Sequence, residues 1–396
     1  MRQRRTRRKS VVPVGILYSL TGTYGIMGLE MFNGVKLGIE QINANPELDF
    51  ELKPIVMDPG GSIPQYGEQC DALIHRHGVR HIIGCYTSAA RKQVLPYVEG
   101  SGALLWHSAR YEGFESSENV IYLGAAPNQH VVPLAAYVLN NLDPRIYCLG
   151  SNYVWTWEIN RVMRDILAAG GGSIVAERLV PLGETAIDQM VEEVASTAPG
   201  AVLNTLVGES AYSFYTAWHA VVAARPELAR IPMLSLSLCE AELKLTGQHR
   251  GGHLVSSVYF QSIDRPQNAA FLSEYRALFP GYGSPSVDTE AAYLCATLLG
   301  RAIAAAGTAD VASVRQATYR DRYEAPQGPV SVDPENNHAF LTPRLGCSTA
   351  EGTFDILWES PKPIKPDPYL AWLDLDELAR QSADVRTPKD LFRLML

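Results

Sequence analysis

Four side chains able to do chemistry stand together at Cys85, Tyr86, Thr87 and Ser88: a thiol, a phenol and two hydroxyls. The apolar run His81-Ile82-Ile83 precedes them, and a helical pattern through Arg91, Lys92, Val94 and Leu95 follows. Two chemistries fit such a strand-to-helix junction. One is a nucleophile on a turn, as in a hydrolase. The other is a set of donors that holds a small ligand unchanged. The nucleophile needs a neighbouring base and an orienting group, and no such set can be assembled from the sequence. Cys85 ends the strand, so its side chain opposes that of Tyr86 and reads as core. Thr87 or Ser88 is a natural N-cap. The helix start offers free N–H groups to a carbonyl or carboxylate oxygen, so Ser88 reads either as a cap alone or as a cap that also touches ligand.

Other strand ends are equally polar. "WHSARYEGF" (106–114) brings His107, Ala109 and Arg110, "GSNYVWTWE" (150–158) brings Tyr153 and Trp155, and "TLVGES" (205–210) brings Val207 and Gly208. Aromatic groups with a few polar donors suit a buried small-ligand site, while Trp157 reads better as lobe-interface packing. The loop Ser19-Leu20-Thr21-Gly22 lacks the spacing of a dinucleotide or phosphate loop and reads as a helix-capping turn. Asp58 reads as a turn residue. The close histidine pairs, His75-x-His77 and His249-x-x-x-His253, make poor metal sites, so no metal and no cofactor is expected.

The elements that must position these groups alternate. Strands at 11–18, 52–57, 81–85 and 103–106 are separated by helices at 24–44, 64–77 and 88–99. The long first helix carries Phe32, Val35, Ile39 and Ile42 on one stripe. A second series of strands (119–124, 145–150, 173–179, 201–206, 233–236 and 254–260) alternates with helices in the same way. Continuously apolar strands in strand–turn–helix units indicate parallel sheets covered on both faces. The fold class is therefore α/β, two doubly wound parallel-sheet lobes with a ligand cleft between them, since such sheets bind ligands beyond their strands' carboxyl ends. A long helix over 288–306 and a turn-rich β-hairpin region after Ala325 complete the chain.

The 396 residues include six dispersed cysteines, which fits a reduced setting without disulfides. Arg2, Arg4, Arg5, Arg7, Arg8 and Lys9 form a basic start; removing these six charges from the formal −8 leaves −14. An acidic body is not expected to bind nucleic acid directly. The apolar stretch Val11–Leu17 is short and contains Pro13, with no small-x-small site after it, so the start reads as a basic arm and the expected location is cytoplasmic, or extracytoplasmic if the start is misassigned.

Several segments together resemble a known family. They are "SLTGTYGIMG" at 19, "DPGG" at 58, "GCYTSAARKQVLP" at 84, "YEGFE" at 111, "GAAPNQ" at 124, "GSNYVW" at 150, "YFQSID" at 259, "APQGPV" at 325 and "PIKPDPY" at 363. In order and in register, they are similar to type I periplasmic-binding folds. The closer likeness is to the branch holding the amide-sensing negative regulators of aliphatic amidase operons and the urea-binding components of urea ABC transporters.

The resemblance implies two lobes built from separated segments: 11–124 with 261–328, and 125–260 with 329–375, flanked by an arm at 1–10 and a tail at 376–396. It implies that Tyr86 and Ser88 line an amide site, Ser88 donating to the ligand carbonyl, and that Tyr153 reaches the ligand from the second lobe. His107-Ser108-Ala109-Arg110 and Asn152-Tyr153-Val154-Trp155-Thr156 depart from the family pattern, which favours a ligand other than acetamide or urea. The implied role is non-enzymatic sensing of an amide- or urea-like molecule with an antitermination-type regulator as partner, or, alternatively, the substrate-binding part of an ABC transporter working with its permease. A homo-oligomer is expected.

Overall fold

The structure, a computed structural model, describes residues 9–246 and 251–373. The arm before Lys9, the tail after Leu373 and His249 lie outside the described residues. In the first lobe β1 (Ser10–Leu17), β2 (Phe50–Met57), β3 (His81–Gly84), β4 (Leu104–His107) and β5 (Val120–Tyr122) form an all-parallel sheet in the order β2-β1-β3-β4-β5. β3 and β4 are buried at every position, as strands covered on both faces must be. Val11–Leu17, weighed above as a possible leader, lies within this sheet as part of β1.

The second lobe repeats the plan. β6 (Arg145–Ser151), β7 (Ser173–Val180), β8 (Ala201–Thr205), β9 (Met233–Ser235) and β10 (His253–Ser257) run parallel in the order β7-β6-β8-β9-β10. The chain end adds antiparallel edge strands to this sheet. After a small antiparallel sheet of β11 (Tyr323–Ala325), β12 (Gly328–Val332) and β13 (Ala339–Phe340), β14 (Arg344–Ser348) joins β10 and β15 (Phe354–Glu359) closes the edge.

The first lobe's core is completed by residues far along the chain. The helix Val287–Ala306, capped by Ser286, packs on the helix Gly25–Ala44. At Gly34 a Cβ would stand 2.1 Å from the Thr289 carbonyl oxygen, so only glycine lets the helices approach this closely. Val330, Val332, Ala339 and Leu341 belong to this same cluster, although the sequence reading groups 329 onward with the second lobe. The chain passes between lobes three times: near 125–131, near 255–258 and near 341–345. The helix Val311–Arg320, capped by the Asp310 side chain, was not expected from the sequence.

Candidate ligand-binding cleft

Both sheets reverse their strand order at equivalent places, between β1 and β3 in one and between β6 and β8 in the other. The carboxyl ends on either side of such a reversal leave a crevice. The residues bordering the gap between the lobes come from these ends. Tyr24 follows β1. Tyr86, Thr87 and Ser88 follow β3, and Arg110 follows β4. From the second lobe, Tyr153 and Trp155 follow β6, Val207 follows β8 and Ser237 follows β9. The gap is narrow: the centres of water-sized spheres have ≈ 30 Å³.

Its walls are aromatic. Tyr24 and Tyr86 meet edge to face at 5.8 Å between centroids, and Tyr153 stacks on Trp155 at 6.2 Å. One polar end is the start of the helix Ser88–Ser101. Thr87 is its N-cap, its hydroxyl accepting from the Ala90 N–H at 3.2 Å. The first amides of a helix have no acceptor within its own ladder, so apart from that of Ala90, which Thr87 satisfies, they suit an oxygen brought by a ligand.

Ser88 departs from the expected role. Its hydroxyl donates to the buried Glu112 carboxylate. With the proton committed there, Ser88 can present only its oxygen lone pairs to a ligand. Glu112 also accepts from Arg91 Nη2 at 3.2 Å, and Arg91 Nε donates to Glu115 at 2.7 Å. Burial works against ionisation of Glu115, but Arg91 outweighs it and brings that carboxyl down to about 2.

The second polar end is Arg110. Its Nη2 donates to Asp288 at 3.0 Å and its Nη1 approaches the Ser237 carbonyl oxygen at 3.5 Å. It thus ties the first lobe's loop to a second-lobe segment. Burial raises the Asp288 carboxyl, and Arg110 opposes that rise. The nearby Glu242, which accepts from the Tyr212 hydroxyl at 3.0 Å, is pushed by burial to about 7 against the pull of Arg110.

Three expected residues stand outside the lining. His107 is fully buried behind it. Its Nδ1 faces the Gly84 carbonyl at 3.4 Å and its Nε2 faces Arg91 at 3.3 Å. Burial and then Arg91 lower it to about 3, so it is neutral and helps to seat Arg91. Ala109 is a core residue with 1% exposure. Gly208 serves the backbone: it caps the helix Glu209–Ala224 at φ 59°, ψ −137°, a conformation only glycine adopts without strain. Trp157, expected to pack between lobes, is 49% exposed and donates its ring N–H to Asn152. Cys85 is fully buried and its thiol is pushed up by burial. Asp58 ties the first loop, accepting from Leu20 N–H, the Thr21 hydroxyl and Gly60 N–H.

Tyr24 and Ser237 are lining residues that the sequence reading missed. Ser237 follows β9 closely, so the strand-end rule that found Tyr86 also applied to it, whereas Tyr24 stands seven residues past β1, at the start of the first helix. No group of acidic, histidine or cysteine residues among the described residues is arranged to hold a metal ion.

Comparison with protein families matches residues 12–374 to the periplasmic binding protein domain. The chain belongs to this family. A curated relative, the Leu/Ile/Val-binding protein homolog 6 of Brucella abortus, is 21% identical over 335 residues, 83% of this chain and 85% of that one. A solved ABC-transporter solute-binding protein of Rhodopseudomonas palustris, in complex with 4-hydroxybenzoate, superposes with a TM-score of 0.80 at 20% identity over 89% of this chain and 98% of that one. An amino-acid ABC transporter substrate-binding protein of Pseudomonas fluorescens gives 0.78 at 19%, over 91% and 97%.

At these identities the structural likenesses establish the fold. As a periplasmic binding protein, the chain binds a small solute and is not an enzyme. The expected cytoplasmic location is overturned by the same match, which points to the periplasm. That expectation rested on the weak leader pattern at Val11–Leu17, which is weak because these residues are a core strand.

Proposed function

We propose that this periplasmic binding protein is the solute-binding component of an ABC importer for a small, flat, oxygen-bearing solute, in the first place a benzoate-type carboxylate. The observation that carries this reading is the form of the cleft. Tyr24, Tyr86, Tyr153 and Trp155 wall a narrow slot whose polar ends are the helix start at Thr87–Ser88 and the Arg110 guanidinium. Flat aromatic walls suit a ring, and a helix N-terminus and a guanidinium suit an oxyanion. Solute-binding proteins of Rhodopseudomonas palustris with this fold were solved with 4-hydroxybenzoate and with benzoate. The solute favours the closed lobes because only then do both walls touch it. The partner is a membrane permease, in place of the antitermination-type regulator that the cytoplasmic reading required.

An amide- or urea-like solute is the second reading. The helix start at Thr87–Ser88 favours it, since those amides serve a neutral carbonyl as well as a carboxylate. A thermal-shift and calorimetric panel of benzoates, branched-chain amino acids, small amides and urea separates the two. Stabilisation by benzoates is expected. Stabilisation by amides alone selects the second reading, and by neither class refutes both.

A further inference from the structure

Beyond Arg110, towards the lobe crossings, lies a second enclosed recess. Arg110, Asp288 and Ser108 line it. So do Gly124 and Ala125 of the first crossing and Ser256, Ser257 and Val258 of the second. Water-sized spheres have ≈ 10 Å³ for their centres there, room for about one oxygen-sized group.

Two fully buried polar side chains lining this recess, His130 and Ser256, each carry an atom with no hydrogen-bond partner among the described residues: His130 Nε2 and Ser256 Oγ. Such groups are rare in folded proteins and call for an explanation. The histidine tautomer follows from its other nitrogen. Nδ1 lies 2.7 Å from the Ala126 carbonyl oxygen, which can only accept, so Nδ1 carries the hydrogen and Nε2 offers a lone pair. Burial keeps the ring neutral, lowering it to about 4. Ser256 supplies both a donor and an acceptor. An acceptor-only atom and a hydroxyl lining one recess complement a group that both donates and accepts.

We propose that the recess is a specificity subsite for a hydroxyl group on the solute, which donates to His130 Nε2 and accepts from Ser256 Oγ–H. Arg110 borders both the cleft and the recess, so the solute's body lies in the aromatic slot and its hydroxyl reaches past the guanidinium. This rests on the small-solute reading above and deepens it, because it separates hydroxylated solutes from their parents.

The test is calorimetric titration of the full chain with matched pairs: benzoate against 3- and 4-hydroxybenzoate, and acetamide against glycolamide. The wild type should bind the hydroxylated member of the pair it accepts at least about tenfold more tightly, as a buried hydrogen bond to an otherwise unpaired group does. Ser256→Ala and His130→Phe should each cut that ratio several-fold while the parent compound binds as before. Circular dichroism checks that the variants fold, and Ser256→Ala decides alone if His130→Phe does not. Equal affinity for parent and hydroxylated solutes, the result if the recess holds only a water, overturns the subsite and leaves the transport reading intact. A ratio unchanged in the folded variants does the same. Failure of every compound to bind refutes both.

Discussion

Replacing Arg110 by methionine keeps most of the side chain's bulk and deletes its charge. Asp288, 1% exposed, then loses the partner now 3.0 Å away. A carboxylate left buried and unpaired costs about 3–5 kcal/mol, unless it takes up a proton. Protonating a carboxyl whose unfolded value is near 3.9 costs about 4 kcal/mol at pH 7 and about 1.5 kcal/mol at pH 5. The proton therefore caps the penalty, and Arg110→Met should destabilise by up to about 4 kcal/mol at neutral pH and by much less at pH 5. Glu242 works in the same direction, because burial raises it to about 7 and Arg110 is the largest of the influences that oppose the rise. Adding Asp288→Asn removes the stranded charge and should recover most of the loss. Urea unfolding of the single and double variants at both pH values measures this. An Arg110→Met penalty equal at pH 5 and pH 7, or a double variant no more stable than the single one, would show that Arg110 does not neutralise Asp288.

Tyr153→Phe should weaken solute binding by about 1–3 kcal/mol with the melting temperature of the free protein nearly unchanged; unchanged calorimetric affinity would remove the phenol from the site. Two groups of buried side chains set opposing pH trends. His107, His130 and His338 are lowered to about 3, 4 and 3, chiefly by burial, so the stability they contribute is full above about 6.5 and is lost as pH falls towards those values. Glu240, Glu242 and Glu290 are raised, chiefly by burial, to about 7, 7 and 8, so theirs is full below about 4.5 and is lost as pH rises through those values. Stability should peak between roughly pH 5 and 6 and fall on both sides; urea midpoints that climb steadily to pH 8 would contradict the assignment. Gly34→Ala drives a methyl to 2.1 Å from the Thr289 carbonyl, so a loss of about 1–3 kcal/mol is expected, read by thermal unfolding.

The two parallel sheets were legible because their strands are short apolar runs separated by amphipathic helices. Seven of the ten residues expected at the site line the cleft: Tyr86, Thr87, Ser88, Arg110, Tyr153, Trp155 and Val207. Their visibility has one cause: ligands sit at strand carboxyl ends, and strand ends can be read. What could not be read was the direction of each side chain and its competing partners. Nothing local shows that Ser88 gives its proton to Glu112, which is 24 residues away. His107 resembles a cleft residue until Arg91 is seen to claim its free nitrogen. Tyr24 was hidden because its loop looked sufficient as a helix cap. The helix Val311–Arg320 lacks a strong apolar stripe, with only Val314 and Thr318 buried.

Glu30 and Thr289 are hydrogen-bonded partners 259 residues apart in sequence. The helix Gly25–Ala44 gets its packing surface from a helix that begins at Val287. A chain made from its N-terminus onward therefore produces the first lobe's strands long before the segment that finishes their core. Until then that helix has β1 and β2 to pack on but lacks its partner helix, and the lobe's core stays incomplete. The order in which the ribosome delivers these segments thus delays the first domain begun until after most of the second has emerged.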